Sequence, residues 1–339
     1  MKGVNLHVDT DALLKKFSDA ASASYRKYGV HHLSKSSVEG FLECTEKFRL
    51  KNRYFAPGRA LVLGGAVHEV QEKITQGVID MVMADNRNDM SIEEYSNAYG
   101  EYLDEVIENT SIPSVIINSV MYKLDEILDS NKELLLPGSF TDFQSEVLTY
   151  TEVLAKSVEK DHFRQIMKYP VLRCELRTHF IPEGLDIPYD GYIDTMVADG
   201  PNIRFEDLKT TFSKNQFVWQ SLHTLFQMWL YAKAMKQMGY INFSPEVGVT
   251  RAVIDTKPKS KNMPDKFEIT VERKVVKDIM VYDQYFMTML RSVENMIKTG
   301  VEICGSPKFG CKKCGFYPVC SKRYRNVWID REEEDNGDE

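Results

Sequence analysis

One stretch constrains this chain more than any other: Gly191-Tyr-Ile-Asp-Thr-Met-Val-Ala-Asp-Gly-Pro-Asn-Ile-Arg-Phe-Glu-Asp-Leu-Lys-Thr210. Two strand-like runs flank Asp199-Gly200-Pro201-Asn202, whose residue types suit a tight turn, so the stretch reads as a β-hairpin. If the turn is centred on Gly200 and Pro201, Asp194 falls opposite Asp207. Side chains alternate faces along a strand, which puts Lys209 on the face of Asp207. Two carboxylates and a lysine then meet on one patch of a sheet. Folding alone gives no reason to gather them there.

A hydrolytic metal site does. Mg²⁺ and Mn²⁺ prefer hard oxygen ligands, and two facing carboxylates supply them while leaving positions for water and a phosphate oxygen. The peptide carbonyl of Leu208 is a further candidate ligand, and Lys209 can orient a nucleophile or stabilise transition-state charge. The plain alternative is a solvated hairpin with Asp207 and Lys209 as a surface pair. D-x-K triplets are common, and Asp255-Thr256-Lys257 is a second one with no acidic partner strand before it.

Downstream, residues 219–234 are good helix formers. His223, Gln227 and Tyr231 recur four apart and share one face, while Leu222, Leu225, Phe226, Met228, Trp229 and Leu230 cover most of the rest. That pattern predicts a helix buried on several sides, with its polar residues individually satisfied. The order G-x-x-D (Gly191, Asp194), D-x-K-T (Asp207, Lys209, Thr210), then Q-x-x-x-Y (Gln227, Tyr231) resembles the RecB-type branch of the PD-(D/E)XK nucleases. The resemblance implies catalytic roles for Asp194, Asp207, Lys209, Gln227 and Tyr231, the last two positioning Lys209 or the DNA backbone.

The amino-terminal half adds to it. Ser34 or Ser36 is a fitting N-cap for an amphipathic helix through Val38, Phe41, Leu42 and Phe48. This resembles the opening helix of the same branch, a serine-led helix with a cysteine before a basic and aromatic run. In Leu63-Gly-Gly-Ala-Val-His68, the histidine follows two glycines at the start of what reads as a long helix. A lone histidine is most often structural, but the resemblance makes His68 a metal ligand beside Asp194 and Asp207. Glu175 falls where some relatives place an extra acid; otherwise it is a sheet-edge charge.

Six cysteines are present, at 44, 174, 304, 311, 314 and 320. Residues 1–11 are polar with no apolar core, so no signal peptide is read there and a reducing cytoplasmic setting is expected. Clustered thiols then suggest metal rather than disulfides, and Cys311, Cys314 and Cys320 form a compact C-x2-C-x5-C run lacking a fourth ligand. Cys304 could close a local zinc site. The resemblance instead implies a [4Fe–4S] cluster held by Cys44, Cys311, Cys314 and Cys320, stapling the two chain ends. Cys174 and Cys304 read as buried thiols.

The net charge of −7 seems to argue against a nucleic-acid partner. Residues 331–339 hold one arginine against six acids, a net −5, leaving −2 for the rest. The remaining basic residues crowd the cysteines: Lys308, Lys312, Lys313, Lys322, Arg323 and Arg325 on one side, Lys35, Lys47, Arg49, Lys51 and Arg53 on the other. Tyr317, Tyr324 and Trp328 interleave with the first group. If Cys44 joins the cluster, both groups meet as a phosphate-tracking surface with stacking aromatics; if not, they merely keep the surface soluble. No membrane-length apolar run and no phosphate-loop motif occurs.

The expected fold is α/β: a mixed central β-sheet flanked by helices, a restriction-endonuclease-like core with a helical insertion and a C-terminal iron–sulfur segment. Residues 1–32 form an extension and 33–328 the nuclease domain. Within it, 69–170 is the insertion, with breaks at 110–113 and 137–138, 171–300 the core, and 301–328 the cluster segment. Residues 329–339 are an acidic, disordered tail. Strands are expected at 171–181, 247–254 and 267–271 besides the hairpin. The resemblance implies an Mg²⁺- or Mn²⁺-dependent deoxyribonuclease, an exonuclease acting on single-stranded DNA or DNA ends. Its settings are DNA repair, recombination, phage replication or CRISPR adaptation, with protein partners from such complexes. The rival is a non-catalytic DNA-end-binding or adaptor subunit, which the intact D…D-x-K set disfavours.

Overall fold

The hairpin register is the one the turn predicts. In the computed structural model, Thr195 pairs with Glu206, Val197 with Arg204 and Asp199 with Asn202, which sets Asp194 opposite Asp207 one step further along. Gly200 takes φ 58°, the left-handed region that glycine enters without a Cβ clash. The structure describes residues 32–45, 58–84, 90–130, 139–200, 202–212, 222–237, 243–255 and 263–299.

The hairpin strands, β2 (Tyr189–Asp199) and β3 (Asn202–Thr211), lie inside a five-stranded mixed sheet of order β1-β2-β3-β4-β5. β1 (Val171–Phe180) is antiparallel to β2, and β5 (Glu268–Val276) is antiparallel to β4 (Phe243–Asp255). β3 and β4 are parallel, so a crossover must join them. β5 runs five residues beyond its expected end, because its ladder continues to Val276 opposite Val247. The outer strand's half-buried, polar pattern hid that extension.

Among the described residues, six helices precede the sheet: α1 (Lys35–Glu43), α2 (Arg59–Ala84), α3 (Ile92–Asn109), α4 (Ile112–Ser130), α5 (Ser139–Ser157) and α6 (Lys160–Ile166). Ser34 caps α1 through a reciprocal bond pair with Ser37, and Ser91 does the same with Glu94 for α3. Buried Val67, Val70, Ile74 and Val78 give α2 one apolar stripe. The helix starts at Arg59, so His68 lies in its third turn and not at its start as expected. Gly64 and Gly65 do not open the helix. Gly64 faces the sheet at Thr210, where an added Cβ would make ordinary contact at 3.5 Å.

The crossover contains α7 (Leu222–Gln237), buried on most sides as its composition predicts. Phe226 and Trp229 pack on Phe286 of α8 (Asp283–Thr299), with ring centroids 5.2 and 5.4 Å apart. Trp229 Nε1 donates to Asp283 Oδ1 at 2.9 Å, which satisfies the indole where it is buried. α7 is thereby fixed against the strands that carry the hairpin carboxylates.

Candidate active site

Four elements place side chains around one end of the hairpin. Lys209 Nζ lies 2.8 Å from Asp207 Oδ1 and 2.7 Å from Oδ2, as adjacent same-face positions on β3 require. Asp194 reaches across from β2, its Oδ2 accepting the Leu208 N–H at 2.9 Å. His68 enters from α2, with Nδ1 3.8 Å from Asp194 Oδ2 and a hydrogen bond to the Leu208 backbone. The site opens into a cleft of about 470 Å³ lined by His68, Glu69, Glu72, Glu175, Lys209 and Thr210, among others.

α7 closes the inner side. Gln227 Nε2 donates to Asp207 Oδ1 at 2.9 Å and to Tyr231 Oη at 2.6 Å, and Tyr231 donates to the Tyr192 carbonyl at 2.6 Å. Gln227 therefore positions Asp207; the hydrogen bonds run to the carboxylate and not to Lys209. His223, expected on the same face, is largely exposed and pairs with Glu39 at 2.8 Å, outside this chain of bonds.

The electrostatics follow from burial. Asp207 has no exposed surface, and desolvation with Asp194 nearby pushes its carboxyl up to about 6 although Lys209 opposes the shift. Asp194 is raised for the same first reason, desolvation. Burial disfavours the charged Lys209 ammonium, yet Asp207 and Asp194 together overcome it and hold the lysine protonated. His68 is pushed down to about 4, by burial first and then by Lys209, so its imidazole is neutral near pH 7 and has a lone pair to donate.

These donors fit a divalent cation. His68, Glu175 and Asp194 each offer one ligand atom, all within 4.8 Å of one another. Asp207 Oδ2, fully buried, lies beside the lysine but has no hydrogen bond of good angle, which leaves a lone pair for a cation. Neutral imidazole and carboxylate oxygens suit Mn²⁺, and the oxygens suit Mg²⁺. Glu69 and Glu72 also line the cleft. Their one and four residue offsets from His68 on a single helix were the signal that could have found them, Glu72 above all.

Cys44 is the half-buried C-cap of α1 with a free thiol. Cys311, Cys314, Cys320, Cys304 and the two basic groups, except Lys35, lie outside the described residues. Lys35 pairs with Glu39 at 2.9 Å. Cys174 is half-buried, its thiol pushed up to about 12 by desolvation. Asp255 of the second D-x-K ends β4 opposite Glu268 and takes no part in the site. Among the described residues, no helix is long and apolar enough to cross a membrane.

A sequence model described as the PD-(D/E)XK nuclease superfamily matches residues 32–321. No curated protein matches the chain. Among solved structures, the crystal structure of SSO0001 is similar at 14% identity over 58% of this chain and 79% of its own, with a TM-score of 0.29, too loose a likeness to bear on function.

Proposed function

Because the chain belongs to the PD-(D/E)XK nuclease superfamily, we propose that it is a metal-dependent deoxyribonuclease whose active site is the cleft at the hairpin end. The observation that carries this is the convergence of Asp194, Asp207, Lys209 and His68, from three elements, around one partly open space. His68, Asp194, Asp207 and the Leu208 carbonyl would hold Mg²⁺ or Mn²⁺. When bound, the cation supplies Lewis acidity, making water a better nucleophile near neutral pH and offsetting charge on the phosphate.

The remaining steps belong to the chain's own side chains. Lys209, kept cationic by two carboxylates, faces the cleft and stabilises charge developing on the phosphodiester. Gln227 fixes the rotamer of Asp207, and Tyr231 ties Gln227 to β2. The intact set favours catalysis over the adaptor reading.

The finer reading is an exonuclease acting on single strands or DNA ends, in a repair, recombination, phage-replication or CRISPR-adaptation setting with partners from such complexes. A [4Fe–4S] cluster on Cys44, Cys311, Cys314 and Cys320 belongs to the same reading. It rests on the motif order and cysteine spacing. Labelled single- and double-stranded DNA, free-ended and end-blocked, incubated with Mn²⁺ with and without chelator, tests it. Chelator-sensitive loss of free-ended substrate is expected. Binding of ends without any cleavage would favour the adaptor.

A further inference from the structure

Tyr192 presents an exposed aromatic ring beside the candidate active site. Among the described residues three aromatic side chains are exposed, Tyr122, Tyr192 and Tyr285, and of these only Tyr192, at 50%, belongs to the sheet. It lies two positions before Asp194 on β2, so the two side chains take the same face, about 7 Å apart along the strand. Its main chain is held in place, because its carbonyl accepts from Tyr231 at 2.6 Å. A single exposed ring is ordinary. Its position at the mouth of a second cavity is not.

That cavity, of about 210 Å³, shares a wall with the active site. Gln227 and Tyr231 form the wall: Gln227 touches Asp207, and both residues also line the cavity. Phe180 and Tyr189, with ring centroids 5.7 Å apart, add aromatic surface. Two charged side chains line it, and each is already paired, Lys35 with Glu39 at 2.9 Å and Asp190 with Arg177 at 2.8 Å. A phosphate entering here would meet an occupied lysine and a carboxylate. An uncharged planar group with polar edges meets aromatic faces, an amide and hydroxyls instead. A nucleobase is such a group.

We propose that this cavity receives one unpaired base of the DNA strand being cut, stacked on Tyr192, while the sugar-phosphate chain continues to the cleft at Asp194 and Lys209. This rests on the reading of that cleft as a nuclease site. A base within a duplex is paired and stacked between its neighbours, so it enters such a cavity only after leaving its partner. Tyr192 therefore favours single strands, and it does so without choosing among bases, because every base has a face to stack.

Binding of single-stranded oligonucleotides in the presence of chelator, followed by fluorescence anisotropy, tests the base site without cleavage. Wild type is expected to bind a thymidine oligonucleotide at least about fivefold tighter than a strand of equal length built from tetrahydrofuran abasic residues, as one stacked base provides. Tyr192→Ala and Tyr192→Leu should lose most of that preference. Tyr192→Trp, which keeps a ring to stack on, should retain it. In Mn²⁺, Tyr192→Ala should raise KM for single strands at least about fivefold and keep kcat within about twofold of wild type. A wild-type protein with no base preference, a preference unchanged in Tyr192→Leu, or a loss shared by Tyr192→Trp overturns the assignment. So does a fall in kcat at unchanged KM, the mark of a disturbed Tyr231 anchor. Wild-type protein that cleaves nothing in Mn²⁺ overturns the nuclease reading, and the base preference in chelator is read separately from it.

Discussion

Gln227 of α7 and Asp207 of β3, 20 residues apart, meet at 2.9 Å, and the same amide reaches Tyr231 at 2.6 Å. One helix thus fixes a carboxylate on one hairpin strand while Tyr231 anchors to the Tyr192 carbonyl of the other. The hairpin's two strands and the crossover helix are joined by polar bonds at the point where the carboxylates converge.

Gln227→Ala is therefore expected to lower Mn²⁺-dependent cleavage about 10–100-fold, the usual cost of losing a residue that orients a ligand. Tyr231→Phe should cost less, since Gln227 keeps its bond to Asp207. Circular dichroism should show both folded. Full activity in Gln227→Ala would contradict the positioning role.

Asp207→Asn and Lys209→Ala are expected to abolish cleavage. Lys209→Ala also leaves Asp207 and Asp194 buried without their cationic neighbour, a loss of about 3–5 kcal/mol in metal-free protein. Added Mg²⁺ should return part of that stability by supplying positive charge in the same place. Denaturant melts with and without Mg²⁺ measure both effects.

The pH dependence follows from opposing shifts. Desolvation raises Asp207 to about 6 and Glu175 to about 7. Without metal, the folded protein holds more protons than the unfolded chain from about pH 4 up to those values. These two groups therefore cost stability as pH rises through that window. His68, lowered to about 4 mainly by burial, acts oppositely: its contribution rises with pH between about 4 and 6.5. A metal competes with the carboxylate protons, so Mn²⁺ affinity should climb from about pH 5.5 and flatten above about pH 8. Calorimetry in two buffers of different ionisation enthalpy should detect proton release on Mn²⁺ binding near pH 6.5; binding without proton release there would contradict the raised carboxylates.

On the opposite face of β3, Glu206 lies 2.9 Å from Arg204 and 2.8 Å from Arg273, with Tyr169 under both guanidinium groups. Glu206→Ala leaves Arg273 without its carboxylate and Arg204 with Asp199 alone, and should destabilise by about 3–5 kcal/mol. Gly248→Ala would bring a Cβ to 2.6 Å from Glu206 Oε1 and disturb the same network. Neither change should alter Mn²⁺ affinity at 25 °C, because consecutive residues of β3 point to opposite faces. Equilibrium unfolding and calorimetry test the pair.

Anaerobically purified protein is expected to be brown with broad visible absorption, and Cys44→Ala to lose the colour. Colourless protein with stoichiometric zinc would replace the cluster with the local zinc site.

The hairpin, its register and the pairing of Asp207 with Lys209 were legible in the sequence, since turn chemistry and strand alternation act over a few residues. The buried character of α7 was legible in its composition for the same reason. The sequence singled out His68, but not its depth in α2, because the helix runs back to Arg59 through Gly64 and Gly65, residues whose own propensity argues against helix. Tertiary structure alone decided that Gln227 serves Asp207 and that His223 turns away to Glu39. It also decided that Glu175 takes a left-handed backbone opposite Asp194. Each of these depends on how a helix or neighbouring strand approaches from far along the chain. Local periodicity fixes which face a side chain takes, whereas packing between distant segments fixes what that face meets.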